Sequence, residues 1–301
     1  DVDSGEEIGE LWDGEGNSVR ALMFSPLPGD MRLLGTTNRS GLRRPLIWDV
    51  GSGARQDLAL AELGGEVLPV DWSWDGRQIL LIQTEQAVQH LFLYDLASEG
   101  LTRLAAPGGT LGYYGQLGVY FGPDDEIYAQ WQDSTHPSQL IVLDGESGTK
   151  VRTALAAGEV PPGHRWRSVV FPTSDGDMIQ GWLGLPEGEG PFPTILHTHG
   201  GPEAVMTEVF HPASQAWIDH GFAFLTINYR GSTTFGRAFQ EKIWGNPGKW
   251  EVDDMVAARA WLVDRGIADP EQVLLTGWSY GCLLYTSPSP RDRTRSRMPS
   301  S

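Results

Sequence analysis

Three stretches in the first half of the chain share one pattern of apolar and polar positions. FSPLPGDMRLL from Phe24, WSWDGRQILL from Trp72 and FGPDDEIYAQ from Phe121 begin 48 and 49 residues apart. Each is an aromatic residue, a Pro/Asp/Gly turn and then apolar alternation, the pattern of a strand leaving a turn. A second element follows in each unit: LIWDVGSG around Asp49, FLYDLASEG around Asp95 and LIVLDGESG around Asp144, spaced by 46 and 49 residues. Two elements held to one period predict strand-turn-strand units the size of a four-stranded β-propeller blade, three of them in all. A generic antiparallel sandwich with similar turns is the alternative. The pairs Trp12-Asp13, Trp48-Asp49 and Trp74-Asp75 are not a repeat signature, because their spacings of 36 and 26 residues are uneven. They read as packing and turn residues.

The pattern changes after Pro161-Pro162-Gly163. HRWRSVVFPTSDGDMIQGWLGLP predicts a hairpin turning at Asp175-Gly176, and from there strands and helices alternate. PTILHTHG is a strand entering a loop, HPASQAWIDHG a short helix closed by Gly221, and FAFLTINYR a buried strand. EVDDMVAARAWLVDRG predicts a helix with Val252, Val256, Ala260 and Val263 on its inner face. Glu251, Asp253 and Asp254 load its first turn against the helix dipole. QVLLTG is then a short apolar strand ending at Gly277. This alternation predicts a parallel sheet covered by helices. The expected domains are a partial β-propeller over 1–163, an α/β domain with a helix-covered sheet over 164–281, and a separate tail over 282–301.

Composition narrows the partners. The 301 residues carry 22 Lys and Arg against 39 Asp and Glu, a net charge of −17, which disfavours nucleic acid and anionic membranes because both need clustered cations. The balance is −14 over residues 1–160, −6 over 161–282 and +3 over 283–301. No apolar run is long enough to span a bilayer, and the acidic start DVDSGEEIGE lacks the basic and apolar regions of a signal peptide. A cytoplasmic location is the expectation, although a chain starting at Asp1 rather than Met leaves room for a lost leader. The single cysteine, Cys282, allows no intrachain disulfide and no thiolate cluster.

The chemistry gathers at the last strand. Gly277-Trp278-Ser279-Tyr280-Gly281 has the Gly-x-Ser-x-Gly form of a nucleophile elbow. Such a turn lifts Ser279 above the sheet and needs small flanking residues where side chains would meet backbone. In a chain with 38 glycines the five-residue match is weak by itself. Its context strengthens it: VLLT supplies a preceding strand, and His199-Gly200-Gly201-Pro202, after a strand of its own, supplies a loop able to aim backbone N–H groups at an oxyanion. Ser279 is then the nucleophile, with the N–H groups of Tyr280 and Gly201 as oxyanion donors. His197 and His199 are two apart on a strand but have no cysteine or carboxylate at ligand spacing, so neither a metal nor a cofactor is expected. His90, His136, His164, His211 and His220 read as surface or packing residues. No histidine follows Ser279, so the Ser-Asp/Glu-His order of the fold is not completed in this sequence.

HTHGGP, INYRGSTTFGRAF, WEVDDMVAARAWLVDRG and GWSYG, in that order, resemble the prolyl oligopeptidase family of serine peptidases, nearest to its acylaminoacyl-peptidase-like branch. The resemblance covers residues 1–281, weakly in the repeats and specifically from His197 onward. It implies a β-propeller ahead of an α/β-hydrolase domain, and peptidase action on short peptides or acylated peptides, with the propeller limiting access by large folded substrates. By position it implies the same roles for Ser279, Gly201 and Tyr280. A homo-oligomer of the full-length enzyme fits the same picture. The tryptophan of GWSYG is also similar to that of dipeptidyl peptidases, but no paired glutamates for a free N-terminus can be placed here.

The chain departs from the family after GWSYG. CLLYTSPSPRD resembles a translated sequencing adapter, so residues 282–301 are expected to be foreign and the chain a fragment lacking the catalytic Asp and His, inactive by itself. The competing readings are a carboxylesterase of the same fold and a non-catalytic propeller binding module.

Overall fold

A computed structural model describes residues 3–112 and 118–286. The expected tail therefore lies outside the described residues from 287 onward. The chain divides into two compact units. The first is 1–166 with 207–215 and 233–240; the second is 167–206, 216–232 and 241–301.

The first unit holds three antiparallel meanders. The first sheet runs β1 (Val19–Phe24), β2 (Arg32–Thr37), β3 (Arg44–Asp49), β4 (Arg55–Asp57), and the second β5 (Glu66–Trp72), β6 (Gln78–Glu85), β7 (Val88–Asp95), β8 (Gly100–Arg103). In the third, β10 (Val119–Phe121), β11 (Glu126–Gln132), β12 (Gln139–Asp144) and β13 (Lys150–Ala156) lie in order, with β9 (Thr110–Leu111) also on β11. The sheets are open ones.

One turn design explains the repeat. Asp49 Oδ1 accepts from the Ser52 N–H at 2.9 Å, Asp95 Oδ1 from the Ser98 N–H at 2.9 Å, and Asp144 Oδ1 from the Ser147 N–H at 2.8 Å. In each unit an Asp three residues before a Ser closes the third hairpin of its sheet through a side-chain turn. The apolar alternation does the packing. On β6, Ile79 and Leu81 join Leu34, Ile47, Trp72 and Tyr94 in one core, while Leu80 and Ile82 join Leu91, Ile127, Trp131 and Ile141 in another. The middle sheet is thus buried on both faces. Asp71 links it to the next: its carboxylate accepts from the Trp72 N–H (2.9 Å) and, across sheets, from the Phe121 N–H (2.7 Å). Of the Trp-Asp pairs, Trp12 and Trp74 are 72% and 76% exposed, so only Trp48 has a packing share.

The second unit is a five-stranded mixed sheet in the order β14 (Trp166–Pro172), β15 (Met178–Gly184), β17 (Ala223–Asn228), β16 (Phe192–Thr198), β18 (Ala268–Gly277). β15 pairs antiparallel with β17, while β17, β16 and β18 are parallel. The crossovers carry α1 (Pro212–Asp219), then α2 (Arg237–Glu241) and α3 (Trp250–Asp264), and α4 (Gly281–Thr286) follows β18. Gly221 ends α1 at φ +84°, its N–H donating to Ile218 O (2.9 Å) while the Phe222 N–H donates to Trp217 O (3.1 Å).

Helix α3 faces inward differently from its apolar pattern. Val256 is 63% exposed, Ala260 is exposed, and the buried positions are Glu251, Asp254, Met255, Ala258 and Leu262. Two acidic residues occupy the inner face because each has a dedicated partner there. Asp254 meets the buried Arg230, whose guanidinium lies 2.6 Å from its Oδ1 and whose backbone N–H donates to its Oδ2 at 2.7 Å. Asp175 and Asp177 sit at 2.6 and 3.2 Å from the same guanidinium, and Trp250 lies under it, 4.7 Å to the ring centroid. Glu251 is fully buried as well. These acids do more than face the helix dipole.

Candidate active site

Two parallel strands bring the site together. Gly277 at the end of β18 is the register partner of Thr198 at the end of β16, so the turns that leave both strands begin side by side. The chain then passes through Ser279 at φ +54°, a left-handed conformation that a residue with a side chain adopts only where its surroundings hold it there. α4 fixes the far side: Gly281 N–H donates to Trp278 O (2.9 Å), Cys282 N–H to Ser279 O (3.0 Å) and Leu283 N–H to Tyr280 O (2.9 Å). Ser279 is exposed at this tip.

The flanking glycines have no room for a side chain. A Cβ on Gly277 would stand 2.9 Å from the Gly281 carbonyl carbon and inside contact with Thr198 Oγ1. One on Gly281 would lie 3.0 Å from His199 O and collide with the Thr198 carbonyl oxygen. The backbone after β16 presses against the serine itself, since a Cβ on Gly200 would come within 3.0 Å of Ser279 Cβ and 3.1 Å of Trp278 O. Gly201 follows at φ +134°, a conformation open to glycine alone. Of the residues assigned from the sequence, Ser279 and Tyr280 occupy the β18–α4 turn, and Gly201 is one residue beyond the glycine that touches Ser279.

A buried polar network lies behind this turn. His199 is 6% exposed, its Nδ1–H donates to the Gly200 carbonyl (2.7 Å), and its Nε2 lies 3.0 Å from Ser232 Oγ. Burial pulls its imidazole down to about 4, against the Gly200 carbonyl acting the other way, so the ring is neutral at pH 7. The Tyr229 ring stacks on it at 4.4 Å between centroids, and the Tyr229 hydroxyl donates to the His199 carbonyl at 2.8 Å. The Tyr280 hydroxyl donates to Glu251, whose carboxylate also accepts from the Gly248 N–H at 3.0 Å. His197, on β16, has its Nδ1 3.0 Å from Thr276 Oγ1, whereas His199 lies just past the strand's end. Among the described residues no group of three His, Cys, Asp or Glu side chains is placed to hold a metal ion.

Tyr229, Arg230, Glu251 and Asp254 carry structure around the site that residue pattern alone does not reveal. The available signal was two carboxylates three apart on a helix whose remaining inner positions, Met255, Ala258 and Leu262, follow the helical period from them.

Known proteins match along most of the chain. Residues 209–287 match the sequence model of the prolyl oligopeptidase family, and residues 155–237 that of FrsA-like esterases. The acylamino-acid-releasing enzyme of Rattus norvegicus is 27% identical over 229 residues, covering 71% of this chain and 31% of that protein. The uncharacterized peptidase YuxL of Bacillus subtilis is 36% identical over 121 residues, 38% of this chain and 18% of that one. Among solved structures, a Mycobacterium tuberculosis puromycin-hydrolyzing peptidase superposes with a TM-score of 0.74 at 22% identity, over 89% of this chain and 42% of the other. The matches thus span less than half of each relative. The resemblance carried by HTHGGP, INYRGS and GWSYG agrees with these matches to the prolyl oligopeptidase family model and to an acylamino-acid-releasing enzyme.

Proposed function

We propose that this chain, a relative of the prolyl oligopeptidase family and of acylaminoacyl peptidases, is the nucleophile-bearing part of a serine peptidase that hydrolyses short peptides or acylated peptides. The observation that carries the reading is Ser279 at φ +54° between β18 and α4, with Gly200 packed against its Cβ. The serine attacks the scissile carbonyl, the tetrahedral oxyanion accepts the N–H groups of Tyr280 and Gly201, and water hydrolyses the acyl-enzyme. The three meanders are blades of a partial β-propeller, and the mixed sheet is the first half of an α/β-hydrolase domain. In the Ser-Asp/Glu-His order of an α/β-hydrolase the proton acceptor for the serine follows it in sequence, and no histidine follows Ser279 among these 301 residues. On this reading Ser279 has no histidine base in the 301-residue chain, and we infer that the chain by itself is inactive.

The test starts at the gene. Long reads across the codons for Gly281 and Cys282 should show a frame continuing to an Asp and then a His; a genome-encoded tail would overturn the peptidase reading. The recovered enzyme should release nitroaniline from an acetylated peptide nitroanilide, and Ser279→Ala should reduce this to background. Turnover by the 301-residue chain would sink the claim of inactivity. The match to FrsA-like esterases over residues 155–237 favours one second reading, a carboxylesterase. Cleavage of p-nitrophenyl esters without cleavage of the nitroanilide would select it.

A further inference from the structure

Glu251 is a buried carboxylate in the first turn of α3, and it faces hydrogen-bond donors: the Gly248 N–H and the Tyr280 hydroxyl. A charged group is kept at a fully buried position only where its neighbours satisfy it, and the partner here is the side chain of the residue directly after the proposed nucleophile. Arg230, the nearby buried cation, is engaged instead by Asp254, Asp175 and Asp177. Glu251 is thus committed to Tyr280.

The geometry points to Glu251 as a positioning residue for the oxyanion hole: by holding the Tyr280 hydroxyl it fixes the direction of the Tyr280 backbone N–H beside Ser279. This rests on the peptidase reading above. The side chain and the N–H share one Cα, and the backbone at Ser279 is already in a left-handed conformation, so a tether on the Tyr280 ring limits how that turn can relax. The far wall is tied to the same assembly. Tyr229 stacks on Tyr280 at 6.5 Å and on His199 at 4.4 Å, and its hydroxyl holds the carbonyl of His199, the residue that leads into Gly200 and Gly201. One continuous set of contacts, Glu251 to Tyr280 to Tyr229 to His199, therefore connects the two backbone donors. Preorganised donors stabilise a transition state because they need not reorient as charge develops. A loosened tether lowers kcat and leaves substrate affinity alone.

Two measurements test this and keep it separate from the peptidase reading. In the 301-residue chain labelled with [13Cζ]tyrosine, the Tyr280 resonance is identified by its absence in Tyr280→Phe. It should shift in Glu251→Gln, and an unmoved resonance overturns the tether. In the active enzyme containing this segment, Glu251→Gln and Tyr280→Phe should each reduce kcat about tenfold, with KM within about twofold and the pH profile unchanged. The double variant should be no worse than either single one, as expected of groups acting as a unit. A loss below twofold, a loss carried by KM, or additive losses would overturn the positioning role. Should Glu251→Gln fail to fold, Tyr280→Phe, which keeps the ring and the N–H, decides the matter. If the resonance shifts but the wild-type enzyme cleaves neither amide nor ester, it is the peptidase reading that has failed; the positioning role falls with it and the hydrogen bond stands.

Discussion

At the scale of single residues, the site is a set of positions where one atom more would not fit and one proton more would not be tolerated. Gly281→Ala places a methyl group against two backbone oxygens, so we expect a loss of about 2–3 kcal/mol in urea unfolding, comparable to overpacking a rigid core. A loss under about 0.5 kcal/mol would mean that the turn adapts. His199 gives a pH dependence of definite sign. Its ordinary value is 6.5 and its folded value about 4, so the unfolded chain takes up the proton first. The stability it contributes is complete above pH 6.5 and is lost as the pH falls towards 4, on the order of 3 kcal/mol in all. Comparing wild type with His199→Gln between pH 7 and 5, above most carboxylate titrations, should show a steeper decline in the wild type. Parallel slopes would contradict it.

Among elements, legibility depended on how a residue's class relates to its partner. The strands of the first unit were readable because Leu80, Ile82 and their neighbours alternate, and because Asp49, Asp95 and Asp144 each precede a serine at the same interval. The elbow was readable because Gly277 and Gly281 must be glycine for steric reasons. The inner face of α3 was not, since an apolar count places Val256 inside and Glu251 and Asp254 outside, the reverse of their positions. Only their partners, the buried Arg230 and the half-buried Tyr280, distant in sequence, give those acids a reason to be there. Asp254→Ala should therefore destabilise by about 3–5 kcal/mol by leaving a buried guanidinium short of its main counter-charge, whereas Val256→Glu should change stability by less than about 0.5 kcal/mol. Thermal unfolding of the two variants decides between the two helix faces, and a larger loss for Val256→Glu would restore the apolar one.

For the molecule as a whole, the edge at β18 matters most. Among the described residues this strand pairs only with β16, and its consecutive Leu274 and Leu275, on opposite faces, are 50% and 46% exposed. An apolar, unprotected edge is a template for pairing with another chain. The 301-residue chain should associate with rising concentration in light scattering after size exclusion, and Leu274→Lys should shift it towards monomer. A wild-type monomer at about 100 μM would show that the edge is covered.

The way the first unit is assembled sets an order in time. Ser134 is fully buried, and its polar atoms are satisfied from far along the chain: Glu208 accepts from its hydroxyl 74 residues on, and the Gln215 amide donates to its carbonyl 81 residues on. At about 5–20 residues per second of synthesis, this serine waits roughly 4–16 s for its last partner to be made. A nascent chain stalled soon after Trp166 would hold the three meanders with the Ser134 hydroxyl accepting from the Trp166 N–H but with its Glu208 and Gln215 partners still to be made. The hydrogen bonds that close around Ser134 are thus timed to the arrival of Gln215, and the first unit as a whole to that of its last segment, 233–240.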